Sequence, residues 1–260
     1  MTSCTPAEMM TVTAARALGD DDICFVGIGL PSAACNLARL THAPKITLVY
    51  ESGTLETKPT VLPLSIGDGE LCETALTTVS VPEMFQYWLQ GGRISVGFLG
   101  GAQVDRFGNL NSTVIGDYHR PKVRLPGSGG ATEIATSCQR IYIVMRHNPR
   151  AMVAKLDFLT SLGHGPTGVE RRALGLTTEG PVLLVTDLCI MKPNTVTRAF
   201  EVVSTHEGVT REQIVAQTGW PVTFAASIDE TPAPTAVELA VLRDLNDRTA
   251  RAHGTAAATE

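Results

Sequence analysis

Aromatic residues are scarce in this 260-residue sequence, at 5%, and so is charge imbalance: Lys+Arg 21 against Asp+Glu 26 leave a formal net charge of −5. An acidic chain without a long Lys/Arg run is a poor polyanion binder, which argues against nucleic acid as a partner. No run of about 18 apolar residues is present, so no transmembrane helix is expected and no membrane role. The opening segment, MTSCTPAEMMTVTAARALGDDD, has no basic region followed by an apolar stretch. No secretory signal is expected, and the chain reads as cytoplasmic. The six cysteines (Cys4, Cys24, Cys35, Cys72, Cys138 and Cys189) form no C-x-x-C pair and have no His at ligand spacing. They read as reduced thiols and provide no metal site.

Other signatures are missing too. There is no Walker pattern and no G-x-S-x-G elbow. Gly27-Ile28-Gly29 lacks the third glycine of a dinucleotide fingerprint and runs into Pro31. Apart from Glu51, no acidic residue stands where a ribose contact is expected, which argues against a nucleotide cofactor. The histidines form no constellation: His119 lies in a basic loop, His164 in LGHG, and His147 beside Arg146 and Arg150 in what reads as a solvated loop.

What is present is an ordinary globular composition, 43% hydrophobic with 24 Gly. The pattern predicts a helix over 5–18, opened by Thr5, Pro6 and Glu8 as a capping box. Apolar runs predict strands at Ile23–Ile28, Lys45–Tyr50, Ile94–Leu99, Arg140–Met145 and Pro181–Leu188. Helices are expected after GIGLPS through Leu40, at Pro82–Gln90, in ATEIATS, at Thr210–Thr218 and at Ala236–Ala258. Strands apolar throughout are buried on both faces, the habit of parallel sheets. The expectation is therefore an α/β fold, a layered and mostly parallel sheet with helices on both faces. No linker or repeat divides the chain, so residues 1–260 are expected to form a single domain with a frayed tail near 250–260.

Glycines gather where those strands end: Gly27 and Gly29, Gly53, Gly100 and Gly101, then Gly127, Gly129 and Gly130 before ATEIATS. Ligands of open α/β sheets bind beyond the carboxyl ends of strands, where glycine lets backbone N–H groups come close. Glycine also simply breaks strands, so no single one is diagnostic. Glu51 has the chemistry for a site, a carboxylate at a strand end on a tight turn that can act as nucleophile or base. Taken alone, a glutamate in a turn is more often a surface residue. Asp68, Glu70 and Glu73 fall in a Gly-Asp-Gly turn and a solvated helix start. Arg120, Lys122 and Arg124 serve equally as an anion contact or as a solvated rim.

Four segments in order give the pattern a resemblance. FVGIGLPS resembles the G-I-G-x-P segment of class I coenzyme A transferase β chains, and YESG resembles that family's catalytic S-E-N-G segment. GGRISVGFLGGAQVDRFGNLN resembles its G-G-x(6)-L-G-x-x-Q-V-D-x-x-G-N-L segment, and LPGSGGATEIA its G-x-G-G-A loop. Their order and spacing match the family across most of residues 24–165. VLPLSIGDGEL, VIGDYHRPKVRLPG, KLDFLTSLGHG and TDLCIM look most like the branch that moves coenzyme A from succinyl-CoA to 3-oxoadipate, a branch similar to the glutaconate-specific one in its β chain.

The resemblance implies the coenzyme A transferase fold and a separate α chain that completes the active site in a heteromer. It implies Glu51 as the nucleophile, although Tyr50 and Ser52 replace the family's Ser and Asn. It implies Gly100 and Gly101 as backbone donors near the thioester carbonyl, with Gln103 a polar residue of the same segment, and Gly129 and Gly130 along the coenzyme. Coenzyme A would be substrate and covalent intermediate, with no permanently bound cofactor and no metal. A thioester hydrolase or ring-cleaving relative on the same fold is the nearest alternative, and the glutamate at position 51 favours transfer over it. A noncatalytic sugar-phosphate sensor is the alternative of another class; the E-S-G turn and the Gly-Gly-Ala-Gln segment argue against it.

Overall fold

The structure, a computed structural model, describes residues 4–254. These residues divide into two compact units, the first comprising the chain up to Phe98 together with the segment from Ala233 onward, the second Leu99–Pro232.

Unit 1 opens with α1 (Pro6–Arg16), where Thr5 and Glu8 close the expected capping box. Strand β1 (Ile23–Phe25) leads into α2 (Leu30–Leu40), followed by β2 (Thr47–Val49) and β3 (Thr54–Leu55). Then come α3 (Gly69–Glu73), β4 (Thr77–Thr78), α4 (Val81–Glu83) and β5 (Val96–Leu99). The helix expected over Pro82–Gln90 is thus only begun by α4; Met84–Leu89 continues as a π-helix. Strand β1 pairs in parallel with both β2 and β5, whereas β2–β3 and β3–β4 are antiparallel. The parallel strands are the apolar ones: Cys24, Leu48 and Val96 are fully buried.

In unit 2, β6 (Gln103–Val104) and β7 (Leu110–Asn111) form one hairpin. A second hairpin joins β8 (Val114–Gly116) to β9 (Pro121–Arg124), so the basic segment read as a loop is partly a strand. Helix α5 (Ala131–Ser137), β10 (Arg140–Val144), α6 (Glu170–Ala173) and β11 (Gly180–Val185) follow. The unit then adds β12 (Cys189–Pro193), β13 (Phe200–Thr205), α7 (Arg211–Ala216) and β14 (Thr223–Glu230). Strands β10 and β11 are parallel, β11–β12–β13 antiparallel, and β13–β14 parallel again.

The last three strands did not show in the sequence. Their inward and outward residues mix; β14 has no fully buried residue, so it lacks the apolar run that marks a doubly covered strand. The chain then returns to unit 1 as α8 (Ala236–His253), which packs on α1 and α2. Two bidentate pairs fasten α1 to α8: Arg16 to Glu238 and Arg243 to Glu8. Part of the fraying expected near 250–260 concerns residues 255–260, which lie outside the described residues. No helix among the described residues is long and apolar enough to cross a membrane.

Candidate functional site

Glu51 stands at the tip of the turn between β2 and β3. The Gly53 N–H donates to the Tyr50 carbonyl at 2.9 Å, and the Tyr50 N–H donates to the Thr54 carbonyl at 3.1 Å. Gly53 takes φ +102°, and a Cβ there would lie 2.0 Å from the Val79 carbonyl oxygen. Only glycine fits, because both the backbone conformation and the approach of the neighbouring chain exclude a side chain. The Val79 N–H holds the turn from that side by donating to the Gly53 carbonyl at 2.8 Å.

Beneath the turn Tyr50 is fully buried, and its hydroxyl is 2.9 Å from that of Ser32, in the first turn of α2. Burial holds the Tyr50 phenol far above its usual range, so it is a neutral anchor. Glu51 itself is half-buried, with neither an ion pair nor a side-chain hydrogen bond to any described residue. The Ser52 and Thr54 hydroxyls beside it are buried without partners. The result is a carboxylate on a rigid support, held by no side-chain bond among the described residues. Asp68 and Glu70 are spent differently: Asp68 caps α3 and takes the Leu64 N–H, and Glu70 takes the Thr60 hydroxyl.

In unit 2, Gly100 and Gly101 follow β5. A Cβ on Gly100 would lie 3.3 Å from the Val144 carbonyl at the end of β10, and one on Gly101 would lie 3.0 Å from the Asn111 carbonyl. Among the described residues, neither Gly100 nor Gly101 finds an acceptor for its N–H. Two free, adjacent backbone donors at a strand end are the raw material of an oxyanion site.

Gln103 is only 6% exposed, and its amide works inside the unit. Its carbonyl accepts from Asn111 Nδ2 at 2.8 Å and from the Asp157 N–H at 3.0 Å, while its Nε2 donates to Asp157 Oδ2 at 3.0 Å. Asn111 in turn donates to the Val114 carbonyl, and Asp157 takes the Gly116 N–H. Gln103 therefore ties the two hairpins to the 157 segment and keeps one amide hydrogen unspent. Asn111 and Asp157 were not singled out in the sequence; Asn111 stands at hairpin spacing from Gln103, the one signal that pointed to it.

Gly129 lies at φ +47° with open space where a side chain would be, and Gly130 is the N-cap residue of α5. Their N–H groups also meet no described acceptor. The preceding loop is fixed by a pair of bonds between Ser112 and Gly127. On the β9 hairpin, Arg124 is exposed, lies over the Tyr118 ring and donates to the Tyr118 carbonyl at 3.1 Å.

His147 corrects the sequence reading. It is 6% exposed, not solvated, because Thr186 and Thr218 take its two ring nitrogens at 3.1 and 2.8 Å. Burial lowers its pKa to about 4, and that of His164 also to about 4. Unfolding exposes both rings to water, where each takes up a proton near its ordinary pKa, about 6.5. The unfolded state then binds more protons, so the stability of unit 2 should fall as the pH drops from about 6.5 towards 4. Denaturant midpoints measured across that range should decline, and His147→Gln should flatten the decline.

A half-buried carboxylate on a turn that only glycine can complete suits covalent acyl chemistry, and the free N–H pair of Gly100 and Gly101 in unit 2 suits an oxyanion. The comparisons define the class. The coenzyme A transferase family model matches residues 7–217, and the chain belongs to that family. It is 62% identical over 247 residues, 95% of each chain, to the β chain of the 3-oxoadipate CoA-transferase of Pseudomonas knackmussii. It is 36% identical to the β chain of the glutaconate CoA-transferase of Acidaminococcus fermentans, covering 92% of this chain and 91% of that one. The crystal structure of the A. fermentans glutaconate coenzyme A-transferase superposes with a TM-score of 0.87 at 32% identity, covering 93% of this chain and 94% of the other. The α/β fold with a parallel centre read from the apolar runs is that family's fold.

Proposed function

We propose that this chain, residues 1–260 acting as one functional domain, is the β subunit of a coenzyme A transferase that carries coenzyme A from succinyl-CoA to 3-oxoadipate. The observation that carries the reading is Glu51: a carboxylate on a rigid turn, unclaimed by any described residue, in a sequence 62% identical to the β chain of a 3-oxoadipate CoA-transferase.

A Glu51 carboxylate oxygen attacks the succinyl-CoA carbonyl, and the C–S bond breaks to give a mixed anhydride and free coenzyme A thiolate. The thiolate sulfur then attacks the glutamyl carbonyl and expels succinate, leaving a Glu51–CoA thioester. 3-Oxoadipate repeats the two steps in reverse, so the thioester energy is kept throughout. This is ping-pong covalent catalysis. Each tetrahedral intermediate bears an oxyanion, for which the free N–H groups of Gly100 and Gly101 are the donors we assign, each worth about 2.7–4 kcal/mol of barrier. Gln103 braces the Gly-Gly-Ala-Gln segment, and Gly129 and Gly130 lie along the coenzyme. An α subunit completes the enzyme, and water must be excluded or the glutamyl thioester hydrolyses.

The test is to trap the intermediate. The enzyme with its α partner, given succinyl-CoA and no acceptor, should gain the mass of coenzyme A on the peptide that holds Glu51. An adduct on the α chain instead overturns the assignment. Adding 3-oxoadipate should discharge the adduct as 3-oxoadipyl-CoA; release of free coenzyme A in its place would favour the hydrolase reading.

A further inference from the structure

Unit 2 holds a partly open cavity of about 230 Å³ at the amino end of β11, the end of the strand away from Val185. Gly100 lies instead beside Val144, at the carboxyl end of β10, the strand that runs parallel to β11. His164, Arg171, Arg172, Thr177, Glu179 and Arg198 line the cavity.

Its charge is what sets it apart. Three arginines line it against a single acidic residue, Glu179, in a chain whose net charge is −5. Arg171 is 4% exposed, and its nitrogens donate to the carbonyls of Thr178, Gly163 and Ala135 and to the Thr178 hydroxyl, never to a carboxylate. A guanidinium buried without a counter-charge is costly to fold around, and an anion beside it repays that cost. Among the described residues, the Arg172 and Arg198 side chains make no hydrogen bond or ion pair. The Thr177 hydroxyl and N–H are unspent as well. Arg198 is held at φ +60°, a left-handed conformation that a residue with a Cβ adopts only under constraint. His164 gives its Nε2 to the Pro181 carbonyl at 2.9 Å and adds no negative charge.

We propose that this cavity binds a small oxyanion, a phosphate group or a short dicarboxylate. The Arg172 and Arg198 forks grip its oxygens, since a guanidinium matches both anions in a bidentate manner. Thr177 adds neutral donors, and Arg171 supplies the fixed positive field from behind. The volume is below that of a drug-sized pocket, so the anion is compact.

Calorimetric titration of the full chain at low ionic strength decides the matter, with inorganic phosphate in one arm and succinate in the other. One anion per chain is expected to bind, and the arm with the tighter binding names its class. The double variant R172A/R198A should weaken that anion at least about tenfold. Glu179→Gln, which removes the opposing charge, should tighten it. Neither variant should move the melting temperature measured without anion by more than a degree or two, since none of the three side chains makes a hydrogen bond or ion pair with a described residue. The proposal fails if neither anion binds below about 10 mM. It also fails if the double variant binds as the parent does, or if Glu179→Gln weakens binding.

Discussion

Replacing Glu51 with alanine is expected to lower the turnover of coenzyme A transfer by at least about 10³-fold, since loss of a covalent nucleophile removes the whole two-step route. The fold should not register the change. Glu51 is half-buried and makes no side-chain hydrogen bond to any described residue, so the unfolding free energies of parent and variant, from denaturant titration, should agree within about 0.5 kcal/mol. Glu51→Gln keeps the shape and removes the charge; it should be equally inactive and should form no coenzyme A adduct. Activity within tenfold of the parent in either variant, assayed with the α partner present, would remove Glu51 from the mechanism.

Gly53→Ala should do the opposite, damaging the fold first and the chemistry through it. The new methyl would meet the Val79 carbonyl at 2.0 Å, at a φ of +102° that residues with a Cβ avoid. Both the left-handed backbone and the overlap must be relieved by moving the turn or the strand beside it, a cost of about 3 kcal/mol or more. The thermal midpoint should fall by several degrees. Activity should fall even at temperatures where the variant is folded, because Glu51 moves with the turn. Ser52→Ala is the matching control: its hydroxyl is buried without a partner, so removing it sacrifices no bond and should leave stability nearly unchanged. A Gly53→Ala variant as stable as Ser52→Ala would mean that the turn is not the rigid support described above.

Much of the fold was legible because its central strands bury both faces. Ile23–Phe25, Thr47–Val49, Val96–Leu99, Arg140–Val144 and Gly180–Val185 all fall within or beside the predicted runs, though shorter at their ends. A strand ends where its ladder ends, and an apolar run extends past that point into the turn it anchors, as Tyr50 does. Strands β12 to β14 were illegible because none is an apolar run: β12 buries only Cys189 and Met191, β13 only Phe200 and Val202, and β14 no residue. The π-helical turn at Met84–Leu89 was equally hidden, since its apolar residues satisfy an ordinary helix pattern.

Position 51 stood out in the sequence because a carboxylate beside a glycine at a strand end is a local signal; its part as nucleophile is the one we propose. The roles of Gln103 and His147 could not. Gln103 sits in a conspicuous motif, yet what its amide does depends on Asp157, which lies 54 residues further along the chain. His147 has charged neighbours in sequence, but Thr186 and Thr218, 39 and 71 residues away, bury it and keep it neutral.

The sequence by itself determined the parallel centre of the fold, the glycines at the strand ends and the carboxylate at the tip of the β2–β3 turn. Those properties follow from hydrophobic runs, from the freedom of glycine and from side-chain type, all local quantities. Tertiary structure alone decided which N–H groups stay free, which amides are spent on bracing, and which three arginines line one cavity. Each of those depends on partners brought together from distant parts of the chain, and hydrogen-bond satisfaction and burial are properties of that gathering.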